Sequence, residues 1–222
     1  PHRAHHGGEN EMRRFLAVLW LFGLALLAGC GGGGGTGTGG STVVATGIVR
    51  WLPTGGAPVP SATVQVGDRT STTSVDDGSF SMNVPVGSNS ILVLYQPVGS
   101  SPVSFRFDVP AITENTDLGD LWIGPEKVTV VGNVRSATDD SPLAGVRVEF
   151  AGRTATTDGA GTYSLTDVAY DSNSLASFFA LEGRATLSGF FTGTFSPTTA
   201  ASGGLVMIDD LLLSSDAGDL PP

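Results

Sequence analysis

Residues 142–150 read P-L-A-G-V-R-V-E-F, and residues 156–163 read T-T-D-G-A-G-T-Y. From Val146 to Phe150 apolar and polar residues alternate, the period-two pattern of a strand with one buried face. Pro142 stands just before that run, where its missing N–H harms no ladder. In the second stretch Asp158 can bond its own following backbone and Gly161 can take a positive φ, so the chain reverses there. Tyr163 then opens the next strand and can fill a core between two sheets. The same alternation recurs at Val64-Gln65-Val66, Ser79-Phe80-Ser81-Met82, Ser104-Phe105-Arg106-Phe107 and Val128-Thr129-Val130. Turn sequences fall between these runs at Pro53-Thr54-Gly55-Gly56, Asp77-Gly78 and Val86-Gly87. No stretch after residue 42 carries a sustained helical stripe. Many short strands at this spacing predict an all-β sandwich or barrel.

The pattern occurs twice. The first copy reads T-G-I-V-R at 46–50, P-V-P-S-A-T-V-Q-V at 58–66, D-D-G-S-F-S at 76–81 and L-G-D-L-W-I at 118–123. The second reads V-G-N-V-R at 131–135, P-L-A-G-V-R-V-E-F at 142–150, G-A-G-T-Y-S at 159–164 and I-D-D-L-L-L at 208–213. Order is kept while only loop lengths change. This predicts two tandem sandwich domains at residues 43–124 and 125–215, each large enough to enclose one core. Segment 183–204 departs most from the first copy and reads as a variable surface loop. The last residues, SSDAGDLPP, read as a short disordered tail, with 216–222 beyond the second domain.

These landmarks resemble the carboxypeptidase regulatory-like domain, over about 170 residues. Its pattern is an opening G-x-V strand, then P-L-x-G-V-x-V, then T-x-T-D-x-x-G-x-Y/F, and a closing L-G-D-hydrophobic strand. The second copy follows it at Pro142–Val148 and Thr156–Tyr163. In the first copy Val75 stands where the turn Asp is expected, and Ser61-Ala62 replaces Gly-Val. The resemblance implies Ig-like, prealbumin-like (transthyretin-like) sandwiches of a carbohydrate-binding-like fold. It is to an accessory domain, so it implies no peptidase activity, and the H-x-x-E zinc ligands of the peptidase itself are absent.

Ahead of the repeats the chain changes character. Residues 1–11, PHRAHHGGENE, read as a non-native or mis-called leader before Met12. Arg13-Arg14 and the apolar run Phe15–Ala28 follow, in the order of a secretory signal peptide at 12–29. The run has fourteen residues, short of the roughly 20 that a spanning helix needs. Leu27-Ala28-Gly29-Cys30 resembles the lipobox of bacterial lipoproteins. The resemblance implies cleavage between Gly29 and Cys30, diacylglyceryl transfer to the Cys30 thiol, and membrane lipid as a partner. Residues 30–42, CGGGGGTGTGGST, read as a flexible tether with a reach of roughly 20 Å. Gly31, rather than Asp, follows the cysteine, and the family's sorting rule then implies the outer membrane or cell surface.

Composition narrows the function. The net charge is −10, and −11 from Cys30 onward, which argues against nucleic acid as a partner. One Cys excludes an internal disulfide. His2, His5 and His6 are the only histidines and all lie in the leader, so a Ser-His-Asp or Cys-His site has no base. Lys127 is the only lysine. Asp76-Asp77, Asp139-Asp140 and Asp209-Asp210 read as turn or strand-end residues rather than paired catalysts. Asp158 is the one candidate for a Ca²⁺ ligand, and no metal or cofactor is otherwise expected. Phe178-Phe179 and Phe190-Phe191 read as strand pairs with one ring in and one ring out. Phe190, Phe191 and Phe195 are the candidate ligand-facing aromatics. The sequence thus predicts no catalytic residue, and a structural, adhesive or scaffolding role at the cell envelope with an unknown protein or glycan partner. The alternative is a carbohydrate-binding surface module.

Overall fold

The computed structural model describes residues 41–216. Eight strands form the first half: β1 (Thr42–Trp51), β2 (Ala57–Pro58), β3 (Thr63–Val66), β4 (Arg69–Thr72), β5 (Ser79–Pro85), β6 (Ser88–Tyr95), β7 (Val103–Ile112) and β8 (Thr116–Ile123). Eight more form the second: β9 (Glu126–Ser136), β10 (Arg147–Phe150), β11 (Arg153–Thr156), β12 (Thr162–Tyr170), β13 (Gly183–Thr186), β14 (Gly193–Phe195), β15 (Leu205–Met207) and β16 (Leu211–Leu213). The described helical segments are a 3-10 turn at Leu52–Thr54 and the five-residue α1 (Leu175–Phe179). The described chain is an all-β protein of two sandwiches in tandem.

Each half has the same two-sheet plan. In the first, β1 lies between antiparallel β5 and parallel β8, and β2 pairs with the end of β1. The facing sheet runs β4-β3-β6-β7. In the second, β9 lies between antiparallel β12 and the parallel pair β15 and β16, opposite a sheet ordered β11-β10-β13-β14. A closing strand parallel to the opening one forces the chain to cross between sheets, so neither half is a simple meander.

The alternating residues supply the core. Phe80, Met82 and Val84 of β5 point inward, as do Val128, Val130 and Val134 of β9. Val64 is in register with Val93 and Val93 with Phe105, so one inward row crosses three strands. The buried residues of all four sheets join in one continuous cluster.

Two positions explain why the repeat keeps glycine and an aromatic together. A Cβ on Gly47 would lie 3.0 Å from the Phe80 ring, and one on Gly132 would lie 2.7 Å from the Tyr163 hydroxyl. In each half the aromatic lies flat over a glycine of the neighbouring strand. Only the second copy carries a hydroxyl there. That hydroxyl is buried with no hydrogen-bond partner among the described residues, and burial pushes the Tyr163 phenol above its ordinary value of 10.0. An unpaired buried hydroxyl destabilises, so Tyr163→Phe should raise stability by about 1 kcal/mol. A folded pKa raised above the unfolded one means stability is full below the ordinary tyrosine value and lost as pH rises past it. Thermal melts from pH 7 to 11 should show a higher Tm for Tyr163→Phe and a shallower alkaline decline. A lower Tm at pH 7 would mean that the hydroxyl is stabilising after all.

Several expectations are corrected. Phe178-Phe179 is not a strand pair: both rings sit on α1, with Phe178 buried and Phe179 half-buried. One ring in and one partly out is still the result, because a short helix also turns adjacent side chains apart. Segment 183–204 is not simply a surface loop, since it contains β13 and β14, whose Ala185 and Phe195 pack inward. The closing I-D-D-L-L-L is not one strand; Ile208–Asp210 interrupt it between β15 and β16. The first copy bulges at the corresponding place, beside Gly119 at φ 66. Ser214–Asp216 do not begin the tail: the Ser214 carbonyl accepts from Phe191 N, and Asp216 N donates to Gly189 O.

The first-copy turn also differs from its reading. Ser74, not Val75, occupies the place of Asp158. Ser74 N donates to Ser79 O as Asp158 N donates to Thr162 O, and Gly78 N returns to Ser74 O as Gly161 N returns to Asp158 O. Asp158 Oδ1 accepts from both Ala160 N and Thr162 N, at 2.9 Å each. In the first copy that work is divided. Ser74 Oγ accepts from Asp76 N, and Asp77 Oδ1 accepts from Ser79 N. One inserted residue is thereby accommodated, and Val75 is left 72% exposed at the tip.

Candidate functional site

The polar residues shared by the two copies are structural in the same way. Thr73 and Thr157 are buried, and each fastens the end of one strand to the turn that leads into its neighbour. Thr73 Oγ1 donates to Val59 O and accepts from Ala62 N; Thr157 Oγ1 donates to Leu143 O and accepts from Val146 N. Arg50 pairs with Asp120 at 2.7 Å and Arg135 with Asp210 at 3.1 Å, each tying an opening strand to its closing strand. Asn133 Nδ2 also donates to Asp210. These pairs were latent in the repeated V-R and closing Asp positions, but sequence alone did not link them.

The first half leaves the side of its core open along β7, an edge strand. Residues of the second half close it. Arg153 is only 6% exposed, with its guanidinium 4.1 Å from the Phe107 ring centre and 5.8 Å from that of Phe105. Its Nη1 donates to Arg106 O and its Nη2 to Asp167 O. Burial lowers its pKa to about 10, with Asp167 and then Asp108 acting against that shift. Lys127 Nζ lies 4.8 Å from the Phe105 ring centre and 3.9 Å from Asp167. Gly152 abuts the Asp120 carbonyl so closely that a Cβ there would lie 2.9 Å from it. Between the halves, Gly124 is buried against Tyr170, where a Cβ would lie 2.9 Å from the Tyr170 carbonyl. The connection Gly124-Pro125 therefore behaves as a braced elbow.

Beside this junction lies a cleft of about 1290 Å³ with walls from both halves. One wall is the outer face of β1, β5 and β8, with Thr46, Ser79, Ser81 and Asp117. The other is the outer face of β10, β11 and β13, with Arg147, Glu149, Thr154 and Arg184. Arg147 and Glu149 pair with each other. A smaller pocket of about 270 Å³ adjoins, and Asp120, Trp122 and Glu182 line both spaces. Trp122 is half-buried, with its ring packed over Gly56. In the sequence Trp122 is simply part of the closing L-G-D-L-W-I run of the first copy. Its place at the meeting of two cavities depends on how the halves dock.

The expected site residues are scattered. Gly29 and Cys30 lie outside the described residues, as do the leader, the signal segment, most of the tether and 217–222. Asp158 uses its Oδ1 on its own turn, and no group of three or more His, Cys, Asp or Glu able to hold a metal occurs among the described residues. Asp77 is held below the usual carboxylate range by the Ser79 hydroxyl and N–H and by the Ser74 hydroxyl. Asp139 is held low by the Ser136 hydroxyl and then by Ser141. Phe190, Phe191 and Phe195 form no shared platform. Phe195 stacks 5.7 Å from Phe150 and lies 6.1 Å from Tyr163, covering Gly183. Phe190 is half-buried and bridges to Ser215, and Phe191 alone is exposed, at 63%. No helix among the described residues is long and apolar enough to cross a membrane.

No family model and no curated protein sequence matches the chain. Solved structures with some likeness include a type II cohesin–X-dockerin complex from Acetivibrio cellulolyticus, at 19% identity and a TM-score of 0.30. That alignment covers 39% of this chain and 56% of the other, under two thirds of its length. The shaft pilin SpaA from Lactobacillus rhamnosus GG aligns at 14% identity over 82% of this chain and 100% of the other, with a TM-score of 0.27. The Bacillus anthracis TIE protein aligns at 14% identity over 79% of this chain and 34% of the other, with a TM-score of 0.28. Scores this low carry no argument about function, which rests on the chain's own residues.

Proposed function

We propose that this chain is an exported, lipid-anchored, non-catalytic module with a structural or adhesive role at the cell envelope. Its sandwiches, at 43–124 and 125–215, are carboxypeptidase regulatory-like domains presented on the 30–42 tether. The observation that carries the reading is the order of residues 12–42: a basic pair, a short apolar run, Leu27-Ala28-Gly29-Cys30, then a glycine-rich stretch ending where β1 begins. Two or more acyl chains on Cys30 and its amine hold a protein stably at a membrane, where one is marginal. The non-catalytic part is supported by the engagement of the chain's carboxylates. Asp77, Asp139 and Asp158 bond their own turns, while Asp120 and Asp210 pair with arginines.

Intact mass of the membrane-fraction protein tests the anchor. The expected species begins at Cys30 and carries added lipid, and Cys30→Ala abolishes both the lipid and the membrane association. An unmodified chain that retains residues 12–29 overturns the proposal.

A further inference from the structure

We infer that the cleft between the two sandwiches binds a neutral saccharide chain, with one sugar ring stacked on Trp122. The inference rests on the adhesive reading above and names its ligand class. Size is the first ground: about 1290 Å³ exceeds the range of roughly 300–1,000 Å³ usual for single small molecules and suits an extended oligomer. Charge is the second. The lining carries Arg147, Arg153 and Arg184 against five carboxylates, and Arg147 and Arg153 are already engaged by Glu149 and by backbone carbonyls. A strongly anionic polymer would meet the carboxylates of Glu114, Asp117 and Glu182, and a strongly cationic one would meet Arg184. An uncharged polar chain meets neither penalty.

The third ground is chemistry at the focal point. Trp122 offers a flat apolar surface where the cleft and its side pocket join, flanked by Asp120 and Glu182. A pyranose ring has an apolar C–H face and equatorial hydroxyls at its rim. The face suits the indole; the hydroxyls can donate to the two carboxylates. Glu182 and Arg184 have no protein side-chain partner among the described residues, so both are available to a ligand. Hydroxyls of Thr46, Ser79, Ser81 and Thr154 continue along the walls and can exchange hydrogen bonds with further sugars.

The test uses the full chain in detergent, with tryptophan fluorescence and calorimetric titration. The probes are cellohexaose, maltohexaose and chitohexaose, with an oligogalacturonate and a polar uncharged hexapeptide for comparison. The expected result is saturable binding of at least one neutral hexasaccharide. Trp122→Ala should weaken it at least about tenfold. Glu182→Gln and Arg184→Ala, on exposed side chains, should each weaken it several-fold with an unchanged Tm, which keeps the test meaningful if Trp122→Ala unfolds. Phe191→Ala should change nothing. Absence of binding by all three neutral sugars, preference for the oligogalacturonate or the peptide, or full binding in Glu182→Gln and Arg184→Ala each overturns the inference. Lipid on Cys30 without sugar binding would leave the anchored module standing; sugar binding without lipid would leave the cleft standing.

Discussion

Arg153→Ala is expected to destabilise the folded chain by about 3 kcal/mol. The side chain does three things at once. It covers the Phe107 ring, and its two donors satisfy the carbonyls of Arg106 and Asp167. Truncation leaves both carbonyls without that donor and opens the side of the first core to water. A desolvated cation over an aromatic ring contributes up to about 2 kcal/mol, and hydrogen bonds from a charged donor roughly 1.5–3 each before compensation by water. Because the halves share this contact, wild-type protein should melt in one transition and Arg153→Ala in two, with the β1–β8 half first. Arg153→Lys should fall between them, since an ammonium cannot span both carbonyls as a planar fork does. Calorimetry decides the matter. A loss below about 0.5 kcal/mol, the level of an ordinary surface substitution, would mean that the junction is held elsewhere.

Gly161→Ala should cost about 4 kcal/mol, against about 1 for Gly145→Ala, though both glycines have nearly the same positive φ. At Gly145, φ 77, a Cβ meets nothing within 4 Å, and its counterpart Ser61 already carries a side chain at φ 58. At Gly161, φ 76, a Cβ would lie 2.5 Å from the Val134 carbonyl and 3.2 Å from Leu143 N. Those are backbone atoms of β9 and of the segment after it, so neither can swing aside. Gly78 has the same role in the first copy, where a Cβ would lie 2.8 Å from Val49 O. Urea melts of Gly161→Ala, Gly78→Ala and Gly145→Ala compare close approach with backbone conformation alone. Equal losses in all three would show that conformation is the whole cost.

Much of this was legible beforehand because strands write themselves locally. Alternation at Val64-Gln65-Val66 and Val146–Phe150 appears as β3 and β10, and Asp158 and Gly161 form the turn their types imply. A side chain that alternates faces needs no distant information to be assigned to a strand. The errors fall where that locality fails. Ser74 and Asp77 share what Asp158 does alone, and a one-residue insertion hides this from an aligned motif. Phe178 enters the core from a single helical turn whose five residues are too few to show a helical period. The stacking of Phe195 on Phe150 was equally illegible, because it depends on β14 lying beside β13, a pairing made across a connection of irregular length.

By itself, then, the sequence determined the β class, the twofold repeat and the tight turns with their glycines. All of these depend on neighbours within a few positions, where residue type and spacing act directly on the backbone. Only the tertiary structure decided that Arg153 closes the core of the other half, that Gly124-Pro125 is a braced elbow, and that Trp122 stands at the mouth of a cleft. Those facts join residues about fifty apart or more on different sheets. They depend on how the two halves meet: at the β7 edge, Arg153 of the second half covers the Phe107 ring and donates to the Arg106 carbonyl of the first.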